Sequence, residues 1–201
     1  MMRFVFCVST LICLGAGSAQ AGPEAAAVLV RHYARGFIDA GSGTVVGHDR
    51  GASLVLTNNH VCPTPGERIT VEVGGHVHPA TWLRADSGID LALLRVDAAL
   101  PTVELADRPP PPGTRIEQWG HPRGGPAVHK VGVSGRVDGR RAVPGGGEVA
   151  THGIGAESGD SGCGVFCGGK LVGVCWGTGG PGRESCVTLA DVKAFLKGSS
   201  R

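Results

Sequence analysis

The chain has 201 residues, a formal net charge of +2 and 41% hydrophobic residues, enough to build one or at most two domains with a real core. Its near-neutral charge, with no basic block denser than the Arg140-Arg141 pair, argues against a nucleic-acid footprint. Glycine supplies 35 residues, well above the usual ~7%, but short Val, Leu and Ile blocks recur between the glycines, which argues against low-complexity disorder and for an all-β protein rich in tight turns.

In chain order, the first segment reads as an export signal. Arg3 gives a short positive end, Phe4 to Leu14 are apolar, and Ala19-Gln20-Ala21 fits the small-x-small cleavage rule. Residues 1–21 are therefore expected to be removed, leaving a mature start near Gly22 and a secreted or periplasmic protein. The apolar run is shorter than the ~20 residues that span a bilayer, and no second run is longer, so no stable membrane insertion is expected after cleavage.

Strand-like blocks follow at Val28 to Tyr33, Gly36 to Ile38, Thr44 to Val46, Ser53 to Leu56, Ile69 to Val73, His76 to Leu83 and Leu91 to Val96. Their short, even spacing with Gly, Asp or Pro at the junctions suggests barrel or sandwich strands. Pro109 to Pro112 cannot donate ladder hydrogen bonds, so residues 107–113 read as an extended connection between two halves, about 28–106 and 114–188. The second half repeats the rhythm at Thr114 to Trp119, Val128 to Val137, Glu148 to Thr151, Gly164 to Cys167, Lys170 to Trp176 and Glu184 to Thr188. Leu189, Val192, Phe195 and Leu196 then recur at helical spacing behind Thr188 as a possible cap, which predicts one short helix over 189–197 packed on the second barrel.

Seven cysteines are present; Cys7 and Cys13 leave with the signal, so five remain. Export permits disulfides, and an odd number leaves a thiol over. Cys175 and Cys186 flank a Gly/Pro-rich turn and are placed to face each other across a hairpin; Cys62, Cys163 and Cys167 compete for a second bond. Cys163 and Cys167 have ligand-like spacing, but the residues between them read as a strand and no matching pair exists elsewhere, so no metal is expected.

Three local settings carry chemistry. A serine hydroxyl needs a base within hydrogen-bond reach and donors for the oxyanion that forms on the attacked carbonyl. In Gly159-Asp160-Ser161-Gly162, the glycine lets the backbone N–H groups of Gly159 and Ser161 converge on one point. His60 follows a buried strand and the polar turn Thr57-Asn58-Asn59, a position from which it projects into a cleft. Asp90 immediately precedes the apolar run Leu91 to Val96, where a partly desolvated acid can hold an imidazole in one tautomer. Asp86 is the competing acid and His121 the competing base.

These pieces, with Gly41-Ser42-Gly43-Thr44, Gly120-His121-Pro122 and Gly173-Val174-Cys175-Trp176-Gly177, resemble the trypsin/chymotrypsin superfamily, nearest its compact bacterial and HtrA-like members. The resemblance implies two six-stranded antiparallel β-barrels with the site between them. It implies His60 as base, Asp90 as orienting acid, Ser161 as nucleophile, and the Gly159 and Ser161 amides as oxyanion hole. It also implies that Gly155 lies at the floor of a substrate pocket walled by Trp176 and Gly177. With no charge at Gly155, a small or apolar residue is expected before the scissile bond. The implied activity is cofactor-free hydrolysis of polypeptide by an acyl-enzyme; the alternatives are a catalytically inactive binding protein on the same fold, and a serine esterase. Asp160 is expected to be buried and to need a cation, for which Arg123 is the candidate.

Overall fold

The computed structural model describes residues 22–137, 148–180 and 183–198. The expected export signal, residues 1–21, and Arg140-Arg141 lie outside the described residues. A four-residue helix, α1 (Pro23–Ala26), precedes twelve strands: β1 (Ala27–Ala34), β2 (Phe37–Asp49), β3 (Ala52–Thr57), β4 (Arg68–Val73), β5 (His76–Asp86), β6 (Leu91–Val96), β7 (Arg115–Gly120), β8 (Val128–Val137), β9 (Glu148–His152), β10 (Gly164–Cys167), β11 (Lys170–Gly180) and β12 (Arg183–Thr188). The chain ends in helix α2 (Leu189–Leu196).

The strands close into two barrels, β1-β2-β3-β6-β5-β4 and β10-β11-β12-β9-β8-β7, each wound in the same order. Closure leaves neither sheet an open edge. The all-β, two-barrel architecture with a short C-terminal helix is the one that the motifs imply.

Glycines explain why β2 is longer than its apolar blocks suggest. Gly41 and Gly43 interrupt the apolar run, yet both lie in the strand, paired with Val30 and Val28 of β1. A side chain at Gly41 would run into Val61, and one at Gly43 into Val55. The barrel wall therefore requires hydrogen at these positions, and the loss of apolar signal follows from packing, not from a turn.

The connection between barrels is extended and pinned at both ends. The Val103 N–H donates to Val45 O of the first barrel, while Ala106 and Leu171 bridge to the second. The prolines are fixed by Ser134, whose hydroxyl donates to Pro111 O at 2.6 Å. Helix α2 has Thr188 as its N-cap, the hydroxyl accepting the Asp191 N–H at 3.1 Å. Leu189, Val192 and Phe195 are buried beneath it. Arg84 of the first barrel reaches over to donate to the carbonyls of Phe195 and Leu196 and stacks on the Phe195 ring, 4.8 Å from its centroid. Burial lowers the Arg84 pKa. The helix thus closes the second barrel and is also held by the first.

Cys62, Cys163, Cys167, Cys175 and Cys186 are all free thiols, so neither expected disulfide is formed. Cys175 and Cys186 do lie opposite each other in the β11–β12 ladder. However, Cys175 is shared between the thiols of Cys163 and Cys186, hydrogen-bonded to both. Hydrogen bonding to Cys175 and burial hold Cys163 and Cys186 well above the ordinary thiol pKa. Cys62 is in the first barrel's core and Cys163 in the second's.

Candidate active site

The polar turn after β3 is built around one carboxylate. Asp90 is 5% exposed and sits at the mouth of β6 with φ +56°, a left-handed conformation that Asp tolerates better than most residues. Its main-chain carbonyl accepts from the Asn58 side-chain amide at 2.9 Å and from the Asn59 N–H at 3.2 Å. Its carboxylate accepts the His60 backbone N–H at 2.9 Å through Oδ1, and meets His60 Nδ1 at 2.6 Å through Oδ2. The imidazole is therefore fixed in position and tautomer, with Nδ1–H toward Asp90 and Nε2 free to accept a proton. Asp86, the competing acid, instead accepts the Gly88 N–H and shapes the turn. Burial, reinforced by the Asp90 charge, pushes the thiol of neighbouring Cys62 up to about 12, so it stays neutral.

The Ser161 segment is clamped against this turn. The Ser42 N–H donates to Ser161 O at 2.7 Å, and the Ser42 hydroxyl donates to Gly159 O at 2.7 Å while accepting the His121 N–H at 2.8 Å. Thr57 donates in turn to Ser42 O. Gly162, at φ +89°, packs so closely that a methyl there would lie 2.1 Å from Ser42 O, 2.4 Å from Thr57 Oγ1 and 3.2 Å from the Asn58 nitrogen. The serine segment of the second barrel thus abuts the residues that lead into His60. The Ser161 hydroxyl donates to Trp176 O at 3.2 Å. Among the described residues it makes no hydrogen bond to His60.

Gly159 takes φ +98°, open to glycine at no steric cost; a side chain there would also strike His121 O and the Arg123 nitrogen. Its carbonyl and that of Ser161 are both held by Ser42. The N–H groups of Gly159 and Ser161 donate to no partner among the described residues.

Asp160 lies between those two amides and is 1% exposed. Its partner corrects the expectation. Arg123 is 83% exposed and pairs with Glu157 at 3.2 Å; Lys130 of β8 reaches Asp160 Oδ2 at 2.6 Å. Arg123 occupies a left-handed position in the short helical turn after Gly120 and its side chain leaves toward solvent, whereas Lys130 is only 10% exposed. The same ammonium donates to Gly155 O at 2.9 Å, and Asp160 also accepts the Glu157 N–H at 2.8 Å. Burial draws the Lys130 pKa down, but the hydrogen bond and charge of Asp160, with Glu157 behind, outweigh it and leave it raised.

His121, the alternative base, is tied to the turn that follows it. Its Nδ1 meets Gly125 O at 2.9 Å, and burial lowers its pKa. Gly155 lies in the loop before Ser161, and Trp176 and Gly177 lie in β11 beside it. Sequence reasoning missed five residues of this neighbourhood: Ser42, Thr57, Asn58, Lys130 and Glu184, the last bonded to the Gly155 N–H at 2.8 Å. Ser42, Thr57 and Asn58 stand inside the motifs themselves. Lys130 had one available signal: it is the lone lysine before residue 170 in a chain that otherwise uses arginine.

Two barrels wound alike, with a buried acid on a histidine from one and a glycine-flanked serine from the other, define the chymotrypsin-like fold. The chain belongs to the trypsin-like peptidase domain family, whose pattern it matches over residues 41–174. No curated protein matches it. Solved structures agree on the fold. The active form of the Rv3671c protease from M. tuberculosis is 22% identical, with 89% of this chain and 83% of that chain covered and a TM-score of 0.75. The serine endoprotease from Yersinia pestis is 22% identical, covering 88% of this chain and 63% of that one at a TM-score of 0.75. The HtrA-type protease AlgW, solved with a tripeptide, is 21% identical, covering 88% and 61% at a TM-score of 0.76.

Proposed function

We propose that the chain is a serine endopeptidase in which Ser161 is the nucleophile, His60 the general base and Asp90 the residue that orients it. The observation that carries this reading is the doubly bonded His60–Asp90 pair, which leaves Nε2 as the free basic nitrogen. In the reaction the Ser161 hydroxyl exchanges the Trp176 carbonyl for His60 Nε2 as acceptor of its proton. Ser161 Oγ then attacks the peptide carbonyl, and His60 takes the proton. The Gly159 and Ser161 amides stabilise the oxyanion, and His60 passes the proton to the leaving amine. Water, deprotonated by His60, hydrolyses the acyl-enzyme. Each of these steps uses groups of this chain and needs no cofactor.

The substrate is polypeptide, with Gly155, Trp176 and Gly177 bordering the recess for the residue before the scissile bond. The expectation of a small or apolar residue there rests on the uncharged Gly155 alone. Residues 22–201 form the protease unit, and residues 1–21 direct it to a secreted or periplasmic location. Among the described residues no helix is long and apolar enough to cross a membrane. Incubation of the purified mature chain with a denatured protein substrate tests the reading: wild type generates new amino termini and Ser161→Ala does not. Equal turnover by the two would refute it.

A further inference from the structure

The two proposed oxyanion donors are aimed by hydrogen bonds from different parts of the molecule. In a trans peptide the C=O and the N–H point in opposite directions, so the partner of one fixes the aim of the other. For Ser161 the aim is set within its own turn, where Asp160 O accepts the Cys163 N–H at 3.0 Å. For Gly159 it is set from outside. Ser158 O accepts the Arg123 N–H at 2.6 Å, which turns the Gly159 N–H the other way, where it has no partner among the described residues.

The Arg123 backbone needs support to do this. Its φ of +56° is left-handed, a region that a residue with a side chain keeps only where its surroundings hold it. The holding groups lie in the turn from His121 to Gly125. The Gly124 N–H donates to His121 O and the Gly125 N–H to Pro122 O, both at 3.0 Å. The His121 side chain closes the turn. A carbonyl only accepts, so Nδ1, 2.9 Å from Gly125 O, carries the ring proton and donates it. The other ring nitrogen, Nε2, is buried without a partner, which leaves this bond as the one polar contact of the imidazole. At the start of the turn the His121 N–H donates to Ser42 Oγ at 2.8 Å, the hydroxyl that also holds Gly159 O. The turn packs directly on Gly159, where a side chain would lie 2.5 Å from His121 O and 2.6 Å from the Arg123 nitrogen.

We infer that His121 is a positioning residue for the reaction: its Nδ1–H staples the 121–125 turn, so that the Arg123 amide holds Ser158 O and aims the Gly159 N–H at the oxyanion. The inference rests on the serine endopeptidase reading and gives His121 a part in it other than that of a base. The staple acts through two backbone bonds and touches no reacting atom.

Three substitutions and two readouts test it. Asparagine carries an amide N–H at the place of Nδ1; glutamine carries its own one bond farther out, at the place of Nε2; leucine has no donor. In steady-state kinetics His121→Leu and His121→Gln should each lose about 10²-fold in kcat, the lower end for one oxyanion donor, with KM little changed, and His121→Asn should restore most of the loss. Should the leucine variant not fold, the glutamine variant decides. Unaltered kcat without the donor, a loss carried by KM, or a loss that asparagine does not restore would overturn the inference. The second readout is amide hydrogen exchange by NMR in the Ser161→Ala protein, which needs no turnover. The Arg123 amide should be protected with His121 or His121→Asn and exchange at least about tenfold faster with His121→Gln or His121→Leu. Equal protection in all four would overturn the staple. If the wild type hydrolyses nothing, the endopeptidase reading fails, and the exchange pattern alone decides whether His121 holds the turn.

Discussion

Replacing Lys130 with methionine keeps the stem of the side chain and removes the cation from Asp160. The carboxylate would remain 1% exposed, with the Glu157 N–H as its one retained donor and its Oδ1 packed on Gly120 without a partner. Stranding a buried charge by deleting its partner costs about 3–5 kcal/mol, and the slight exposure of Lys130 places this case near 3 kcal/mol. For a domain of this size each kcal/mol moves the melting temperature by about 2–4 °C, so a fall of roughly 6–12 °C is expected. Asp160 also lies between Gly159 and Ser161, whose amides are the proposed oxyanion donors. Its displacement disturbs both, and one such donor is worth about 10²–10³ in kcat. Differential scanning calorimetry and steady-state kinetics should therefore show lower stability and a kcat reduced by about 10², with KM little changed. Adding Asp160→Asn to Lys130→Met removes the stranded charge and should restore much of the melting temperature without restoring kcat. The pair also sets an alkaline limit. The folded Lys130 pKa is raised, so its contribution is fully present below the unfolded value of about 10.4 and is lost as pH rises through the folded value. A Lys130→Met protein with unaltered melting temperature and kcat would refute this account of Asp160.

Asp90→Asn preserves the shape of the carboxylate but presents the wrong donor to His60 Nδ1; kcat should fall by about 10⁴ with the fold intact, measured by burst and steady-state kinetics. Gly162→Ala combines a left-handed φ of +89° with a methyl 2.1 Å from Ser42 O, so it should destabilise the junction of the barrels by at least about 3 kcal/mol in urea unfolding. Ser42→Ala leaves Gly159 O and the His121 N–H without their shared hydroxyl, with an expected cost of about 1–3 kcal/mol and a lower kcat. With four of the five cysteines buried, iodoacetamide at pH 8 should label Cys167 first, and Cys62, with its pKa near 12, only on unfolding; mass spectrometry of the native protein reads this directly.

The all-β class was legible because its signals are local, whereas spacing leaves barrel and sandwich open and only the family resemblance implies two barrels. Apolar blocks at even spacing, the proline run and the amphipathic tail each declare one element without reference to the others. Strand limits were less so. β2 runs unbroken through Gly41-Ser42-Gly43, and its small residues are demanded by Val61 and Val55, which lie elsewhere in the chain. The juxtaposition of His60 with Asp90 rests on short motifs and is legible from them. The partner of Asp160 was not, because Arg123 and Lys130 are both near enough in sequence and only the direction of β8 and the outward turn at Arg123 decide between them. Glu184 escaped notice for a similar reason. Its distance from Gly155 depends on the β9–β12 pairing, which sets Glu184 against Thr151 and which the sequence leaves unspecified. The thiols show the same limit: three cysteines converge in one core, and spacing alone cannot tell a bridge from a cluster of free thiols.

The most direct measurement is reaction of the mature protein with a fluorophosphonate, followed by intact mass and peptide mapping. If the His60–Asp90 pair activates Ser161, one adduct forms, it maps to Ser161, and both His60→Ala and Ser161→Ala abolish it. An unmodified wild type, or an adduct that survives the loss of His60, would contradict the account.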